Sequence, residues 1–463
     1  MKKIFLIMAG FFMLNVTNLY AQQQLQVSET LMRAINVALK EDRNLANHYL
    51  EAEKIAIERK SVLNKYIPTI GATAMYGYFK NTLDVDIPTL SLPITGLTLF
   101  SADQKLNNRG NLFFGGLTAK SVLFSGGQII NGAKALEAKQ KGTELLLLPQ
   151  KDSIIKDVIH SFDQIRLLNE AKKLLDESEV RLNKETERVE KAIANGLAIP
   201  YDRDKIKLAT LELSSKKIEL EGKHKVLYQK IHLLTHYNDN QIDSVVYELE
   251  PIILNGLLNT DNRAEIKALE SFKNAYQYAL KKEKGTFLPT IGAFGSYSYA
   301  SVFDARTSFT GPLTGNHYNL RLNEATLYPN FIAGVALKWE IFSGFERKHK
   351  IDEAKINIRQ IENKLADSKE KVQLQLQNNS AQYETLLKQI DIAKQREKIA
   401  KNNLIVAQKQ YLLGLINVTE RLTAETDIYQ VSLQKINSIV EQRRLALETF
   451  SSIGNLQNSL QVK

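Results

Sequence analysis

The hydrophobic pattern of this chain has two periods. From Gly126 to Asn195 and from Gly344 to Leu413, apolar residues recur at spacings of three and four, and Pro149 is the only proline in either stretch. In the second stretch Ile358, Ile361, Leu365, Val372, Leu376, Tyr383, Leu387, Ile390, Leu404, Ala407 and Tyr411 form a narrow stripe, while the other faces carry Gln, Asn, Lys and Glu. That is the seam of a coiled coil. Helical throughout, each stretch would run about 105 Å. Each ends at a glycine, Gly196 or Gly414, and the helical pattern resumes within a few residues. Pro200 suits a first turn, and Val418, Leu422, Tyr429, Ile436, Val440 and Leu447 continue the stripe in the second half. These are helical hairpins with tight, exposed tips. Helices are also expected over roughly 29–65 and 263–284.

The other period is two. Along Phe331 to Phe342, Ala333, Val335, Leu337, Trp339 and Ile341 share one face, and Gly334, Ala336, Lys338, Glu340 and Phe342 share the other. Ile291 to Tyr299, Thr69 to Phe79 and Leu112 to Phe124 alternate similarly. One apolar face opposite a face with Lys and Glu suits a barrel wall between lipid and water; a small soluble sheet with one packed face is the alternative. Tyr76, Tyr78, Phe79, Phe113 and Phe114 gather towards one end of their strands, as aromatics do at a membrane interface. The segments 81–111 and 304–330, rich in Pro, Gly, Thr, Ser and Asn, read as long loops.

These parts occur twice. Tyr66-Ile67-Pro68-Thr69-Ile70-Gly71-Ala72 recurs as Phe287-Leu288-Pro289-Thr290-Ile291-Gly292-Ala293, Phe124-Ser125-Gly126 as Phe342-Ser343-Gly344, and Gly196-Leu197 as Gly414-Leu415. Three landmarks in near-constant register indicate a tandem duplication. The expected organisation is a signal peptide over 1–21, a first repeat over 22–240 and a second over 241–463. The first has strands at about 68–80 and 112–124 and a hairpin at about 126–236. The second has strands at about 289–303 and 331–342 and a hairpin at about 344–454.

Met1-Lys2-Lys3, an apolar run from Ile4 to Leu14 and a polar stretch ending at Ala21 have the form of a secretory signal. The run is shorter than a spanning helix needs, so any membrane passage falls to the strands. The 463 residues include no cysteine, which excludes disulfides, thiol chemistry and Cys-based metal sites. The net charge of +10 is dispersed along the helices, a solvated face and not a nucleic-acid footprint. His232 and His236 lie four apart with His224 eight residues before His232, a spacing metals can use, but no carboxylate or Cys completes the set, so solvated or hydrogen-bonded histidines near a helix end are the expectation. No set of residues suggests a metal site, a cofactor or an enzyme. Four strands cannot close a barrel, and open edges are not tolerated in lipid, so several chains must share one. Three copies give twelve strands.

The duplicated plan, the Pro-Thr-Ile-Gly-Ala strand starts, the Phe-Ser-Gly corners and the Gly-Leu tips resemble the TolC family of outer membrane efflux proteins over nearly the whole mature chain. The resemblance implies a mainly α fold with transmembrane β. In it a homotrimeric, 12-stranded outer-membrane β-barrel continues into a long periplasmic α-helical coiled-coil barrel. It implies a passive exit duct for small molecules, working with a periplasmic adaptor protein and an inner-membrane transporter and surrounded by outer-membrane lipid. Other readings are an exit duct for type I protein secretion and a periplasmic coiled-coil scaffold or adhesin. In the family pattern an Asp six residues after the first tip glycine bonds a Tyr three before the second; Asp202 and Tyr411 match. The family's Arg two residues after the second glycine is Ile416 here, and its carboxylates six and nine residues after are Glu420 and Thr423. The resemblance thus implies a periplasmic gate at Asp202, Tyr411, Ile416, Glu420 and Thr423 with fewer charged ties, Arg203 and Arg421 being nearby basic residues. Glu420 is also a carboxylate favourable near any helix start. The tips Gly196, Leu197, Gly414 and Leu415 are the implied adaptor-docking surface.

Overall fold

The computed structural model describes residues 25–86, 90–91, 98–100, 103–254, 260, 263–310, 315–454 and 456–462. The expected signal peptide over 1–21 lies outside the described residues. In chain order the elements are β1 (Leu25–Val27), α1 (Glu29–Glu41), α2 (Arg43–Leu63), β2 (Thr69–Asp86), β3 (Leu90–Ser91), β4 (Thr98–Phe100), β5 (Asp103–Phe124), α3 (Gln128–Leu145), α4 (Leu147–Ala194), α5 (Pro200–Thr235) and α6 (Asp239–Ser244). There follow α7 (Ala264–Lys284), β6 (Thr290–Thr310), β7 (His317–Lys338), α8 (Glu346–Leu412), α9 (Val418–Ser452), α10 (Leu456–Ser459) and β8 (Leu460–Val462). The described residues form two compact units, each drawing on both repeats: those within Met1–Lys54, Lys139–Lys273 and Gln360–Lys463 make one, those within Ile55–Ala138 and Asn274–Arg359 the other.

The first unit is helical. The stripe on α8 is its buried side, with Ile361, Val372, Tyr383, Ile390, Leu404 and Ala407 all below one-tenth exposed. Cross-helix ties hold the hairpins: Lys217 Nζ to Glu179 Oε2 at 2.5 Å between α5 and α4, and Lys435 Nζ to Glu397 Oε2 at 2.6 Å between α9 and α8. Near the C-terminal end of α9, Arg443 Nε donates to Asp163 Oδ2 at 2.8 Å and Tyr247 Oη donates to Asp163 Oδ1 at 2.6 Å. A buried charge pair survives there because its remaining polar atoms are also bonded, Arg443 Nη1 donating to the Glu250 carbonyl at 3.0 Å. The first and last described strands, β1 and β8, form a parallel two-strand pair that the sequence does not predict.

The second unit carries a four-stranded antiparallel sheet in the order β2-β5-β6-β7. Its register puts Ile70, Ala119, Gly295 and Ala333 side by side, then Ala72, Leu117, Tyr297 and Phe331 in the next row on the same face. Ile70, Leu117, Phe331, Val335 and Leu337 on that face are each more than half exposed. The opposite face is mostly small or polar, as in Gly71, Thr118 and Ser296. Within the chain β2 and β7 are each paired on one side only. Gly126 and Gly285 touch so closely that a Cβ on either would lie within 2.4 Å of the other's carbonyl oxygen, so no other residue fits this crossing.

The structure revises four expectations. The segments 81–111 and 304–330 are mainly strand, β2 reaching Asp86, β5 starting at Asp103, β6 reaching Thr310 and β7 starting at His317. Their content of Thr, Ser and Asn outweighs short alternations, Leu83 and Val85 on β2 and Tyr318, Leu320 and Leu322 on β7; Thr82 Oγ1 donates to Asn107 Oδ1 at 2.6 Å on one face, and Asn108 Nδ2 donates to Asn81 Oδ1 at 3.2 Å on the other. The helix expected over 29–65 breaks at Asp42, whose carboxylate accepts from the Leu45 N–H at 2.6 Å and so caps α2. The first long helix breaks at Leu146, because the Pro149 ring cannot sit over the carbonyl four residues before it. The strand expected over 331–342 stops at Lys338, paired with Thr290; the next partner would be Pro289, which has no N–H.

Candidate functional site

Both hairpin tips are built alike. Gly196 and Gly414 take φ of 74° and 71°, a left-handed conformation that strains any side chain. The Leu197 N–H donates to the Ala192 carbonyl at 2.8 Å and the Gly196 N–H to that of Ile193 at 3.0 Å. Leu415 and Gly414 repeat the pattern on Gln410 and Tyr411 at 2.9 and 3.0 Å. Each pair of bonds satisfies carbonyls that the helix end would leave free, which is why the Gly-Leu pair recurs. Leu197 is 82% exposed and Leu415 69%, with Ile199, Tyr201, Leu412 and Leu413 also exposed around them. Such apolar side chains contribute nothing to folding by burial.

The next helices start in parallel fashion. Pro200 opens α5, and Asn417 caps α9, its Oδ1 accepting from the Glu420 N–H at 2.9 Å. Asp202 and Glu420 are therefore the third residues of equivalent helices. The Asp202 carboxylate accepts from the Ile199 N–H at 3.5 Å. Tyr411 is half-buried against the apolar cluster around Val189, Ile206 and Val418. Burial pushes its hydroxyl pKa up, and the Glu185 and Asp202 carboxylates push it the same way. The structure thus brings Asp202 and Tyr411 into electrostatic range, and among the described residues no hydrogen bond joins them. Glu420 and Thr423 are exposed, Thr423 Oγ1 donating to the Thr419 carbonyl at 3.0 Å, and Ile416 is half-buried.

A buried charge cluster lies on the same helices, and the sequence reading did not find it. Arg421 is the largest fully buried side chain, at 1% exposure. Its Nη2 lies 3.6 Å from Glu425 Oε2 on the next turn, while Glu425 Oε1 accepts from Ser178 Oγ and Arg181 Nε on α4, both at 2.8 Å. Arg421 Nε and Nη1 and Glu425 Oε2 have no hydrogen-bond partner. Charge buried with incomplete partners is costly. A signal existed in the sequence. Arg421 and Glu425 interrupt the stripe from Val418 to Tyr429, and Ser178 and Glu185 interrupt Leu175, Leu182 and Val189 on α4. Arg203, the other basic candidate, pairs with its own neighbour Asp204 at 3.0 Å.

The histidines are otherwise engaged. His224 stacks on Tyr228 with ring centroids 4.1 Å apart, His232 Nδ1 bonds the Tyr237 carbonyl at 2.8 Å, and His236 forms the left-handed end of α5. Among the described residues no group of three His, Cys, Asp or Glu side chains is placed to hold a metal ion. Nor is any helix of those residues long and apolar enough to cross a membrane.

The chain thus combines duplicated strand pairs and long helical hairpins with a sheet that has one exposed apolar face. Residues 259–449 match the family described as "Outer membrane efflux protein". No curated protein sequence matches the chain. Among solved structures, a membrane protein from Pseudomonas aeruginosa superposes with a TM-score of 0.73 at 14% identity, covering 93% of this chain and 91% of that one. The Campylobacter jejuni CmeC outer membrane channel gives 0.71 at 15% identity over 94% of this chain and 89% of that one. The open state of the Neisseria gonorrhoeae MtrE outer membrane channel gives 0.67 at 15% over 94% and 92%. The resemblance to the TolC family of outer membrane efflux proteins, read from the repeats and tips, is thereby borne out.

Proposed function

We propose that this chain is the outer-membrane channel of a tripartite efflux system, a homotrimeric and passive exit duct for small molecules. Its helical part lies in the periplasm, where an adaptor protein couples it to an inner-membrane transporter. The observation that carries this is the sheet with two unpaired edges and one exposed apolar face. Inside the chain, β5 of the first repeat pairs with β6 of the second. By the duplication, β7 occupies the place of β5 and β2 that of β6, so β7 of one copy pairs with β2 of the next. That contact is head-to-tail and closes as a ring. Two copies would give eight strands, whose interior side chains fill; three give twelve and leave a lumen.

The tips are the proposed narrow end. Asp202, Tyr411, Ile416, Glu420 and Thr423 line the proposed gate, and Arg421 replaces the family's tip arginine from within the α4–α9 seam. Gly196, Leu197, Gly414 and Leu415 form the proposed surface for the adaptor.

The closure is testable because the chain has no cysteine of its own. Ala119 faces Gly295 in the β5–β6 pair. The repeat maps this pair onto Leu337 of one copy and Ala74 of the next. An Ala74→Cys, Leu337→Cys double variant should oxidise to covalent dimers and trimers on non-reducing gels. Monomer alone would sink the β7–β2 joint.

A further inference from the structure

One row of the sheet is entirely basic. Lys80 pairs with Arg109, Arg109 with Arg306, and Arg306 with Arg321, so four cations lie directly across all four strands. The alternation on β2 and β5 puts Lys80 and Arg109 on the apolar outer face, and the one-residue slip between Arg109 and Asn111 restores Arg306 to it. All four are exposed. Like charges directly opposite one another in a sheet are destabilising. Only Arg321 has a carboxylate near, Asp304 Oδ1 at 3.6 Å from its Nη2; Lys80, Arg109 and Arg306 have no ion pair among the described residues. The next row outwards, Thr82, Asn107, Ser308 and Asn319, supplies hydroxyl and amide groups, and together the two rows line a cleft of about 810 Å³.

The position of the row gives it meaning. Next to it on the side of the apolar band stand Tyr78 and Phe303, then Tyr76 and Phe113, with Tyr76 and Phe303 ring centroids 6.2 Å apart. From Ile70 to Lys80 the strand advances about 34 Å, which at the usual barrel tilt is about 25 Å of height, the thickness of a barrel's apolar band. Aromatics mark the edge of hydrocarbon, and the cations begin just past it, at the depth of lipid headgroups.

We propose that the Lys80, Arg109, Arg306 and Arg321 row binds the phosphate groups of lipid headgroups in the outer leaflet of the outer membrane. This rests on the outer-membrane reading above. Guanidinium groups take phosphate oxygens through paired N–H donors. A closed ring of three copies would present the row all round the barrel and fix its depth in the bilayer.

The test uses the full-length protein in detergent and measures binding of bis-phosphorylated lipid A, its dephosphorylated counterpart and inorganic phosphate. The phosphorylated lipid should bind more tightly than the dephosphorylated one. An Arg109→Gln, Arg306→Gln variant should lose about 25-fold, roughly fivefold for each cation removed, and Arg109→Lys, Arg306→Lys should retain most of the binding. Inorganic phosphate at the same phosphate concentration should not displace the lipid. Equal affinity for the two lipids, or unchanged binding in the Gln variant, overturns the site, and complete displacement by inorganic phosphate reassigns it to a free anion. Membrane fractionation of the parent separates the two levels. Absence from the outer-membrane fraction refutes the localisation, whereas presence there without lipid discrimination refutes this inference alone.

Discussion

Arg421 and Glu425 show how single side chains decide the character of the hairpin ends. Their pair is buried, long at 3.6 Å, and leaves three polar atoms without partners. Removing the carboxylate strands the buried Arg421 guanidinium, while Arg181 keeps Glu177 at 3.8 Å; removing Arg421 leaves Glu425 its bonds to Ser178 and Arg181. Glu425→Ala should therefore lower thermal stability by about 3–5 kcal/mol, the cost of breaking a buried pair, and raise single-channel conductance. Arg421→Met should cost far less in a melting experiment. Equal losses in the two variants would mean that the cluster acts only through packing. Asp152 is another buried carboxyl, its pKa raised to about 6 by burial. Between about pH 4 and pH 6 the unfolded chain releases this proton before the folded one, so stability falls as pH rises through that window. Asp152→Asn should flatten the dependence and raise the melting temperature at pH 7 more than at pH 4.5. The tip glycines were readable in the sequence, because the positive φ admits little else. Arg421 was not, because a charged residue counts as solvated until its position on the apolar stripe is checked.

The elements were most readable where one face is apolar. The α8 stripe and the β7 alternation appear in the structure where the sequence places them, because burial on one side imposes a period that no other conformation shares. Readability failed where composition masked a short period. The outer halves of β2 and β7 alternate through Leu83 and Val85 and through Tyr318, Leu320 and Leu322, but these runs are short and sit among Thr, Ser, Asn, Pro and Gly, which also make loops. The β1–β8 pair joins segments more than 400 residues apart through three residues each, too short for any period. At the tips the open question is whether the exposed leucines serve a partner. Leu197→Ser and Leu415→Ser together should leave protein level and melting temperature unchanged while abolishing export of a fluorescent efflux substrate from cells. Normal export in the double variant would remove the tips from the docking surface.

The duplication organises the molecule as a whole. It explains why β5 meets β6 within one chain and why β7 and β2 each keep a free edge. On the proposed channel reading a single chain is an incomplete object, with an apolar face and two strand edges that other copies and lipid would cover. Sequence periodicity, with the repeats, could reach the duplication and the proposal of closure, because both are matters of strand count and edge chemistry. It could not say what holds the channel at its depth or how its narrow end is tied, since both depend on which side chains become neighbours across strands and helices. The most direct check of the trimeric channel is electron microscopy of the protein extracted by detergent from the outer-membrane fraction. Threefold particles with a detergent belt are the expected result. Soluble monomers without a belt would contradict it and leave the scaffold reading in its place.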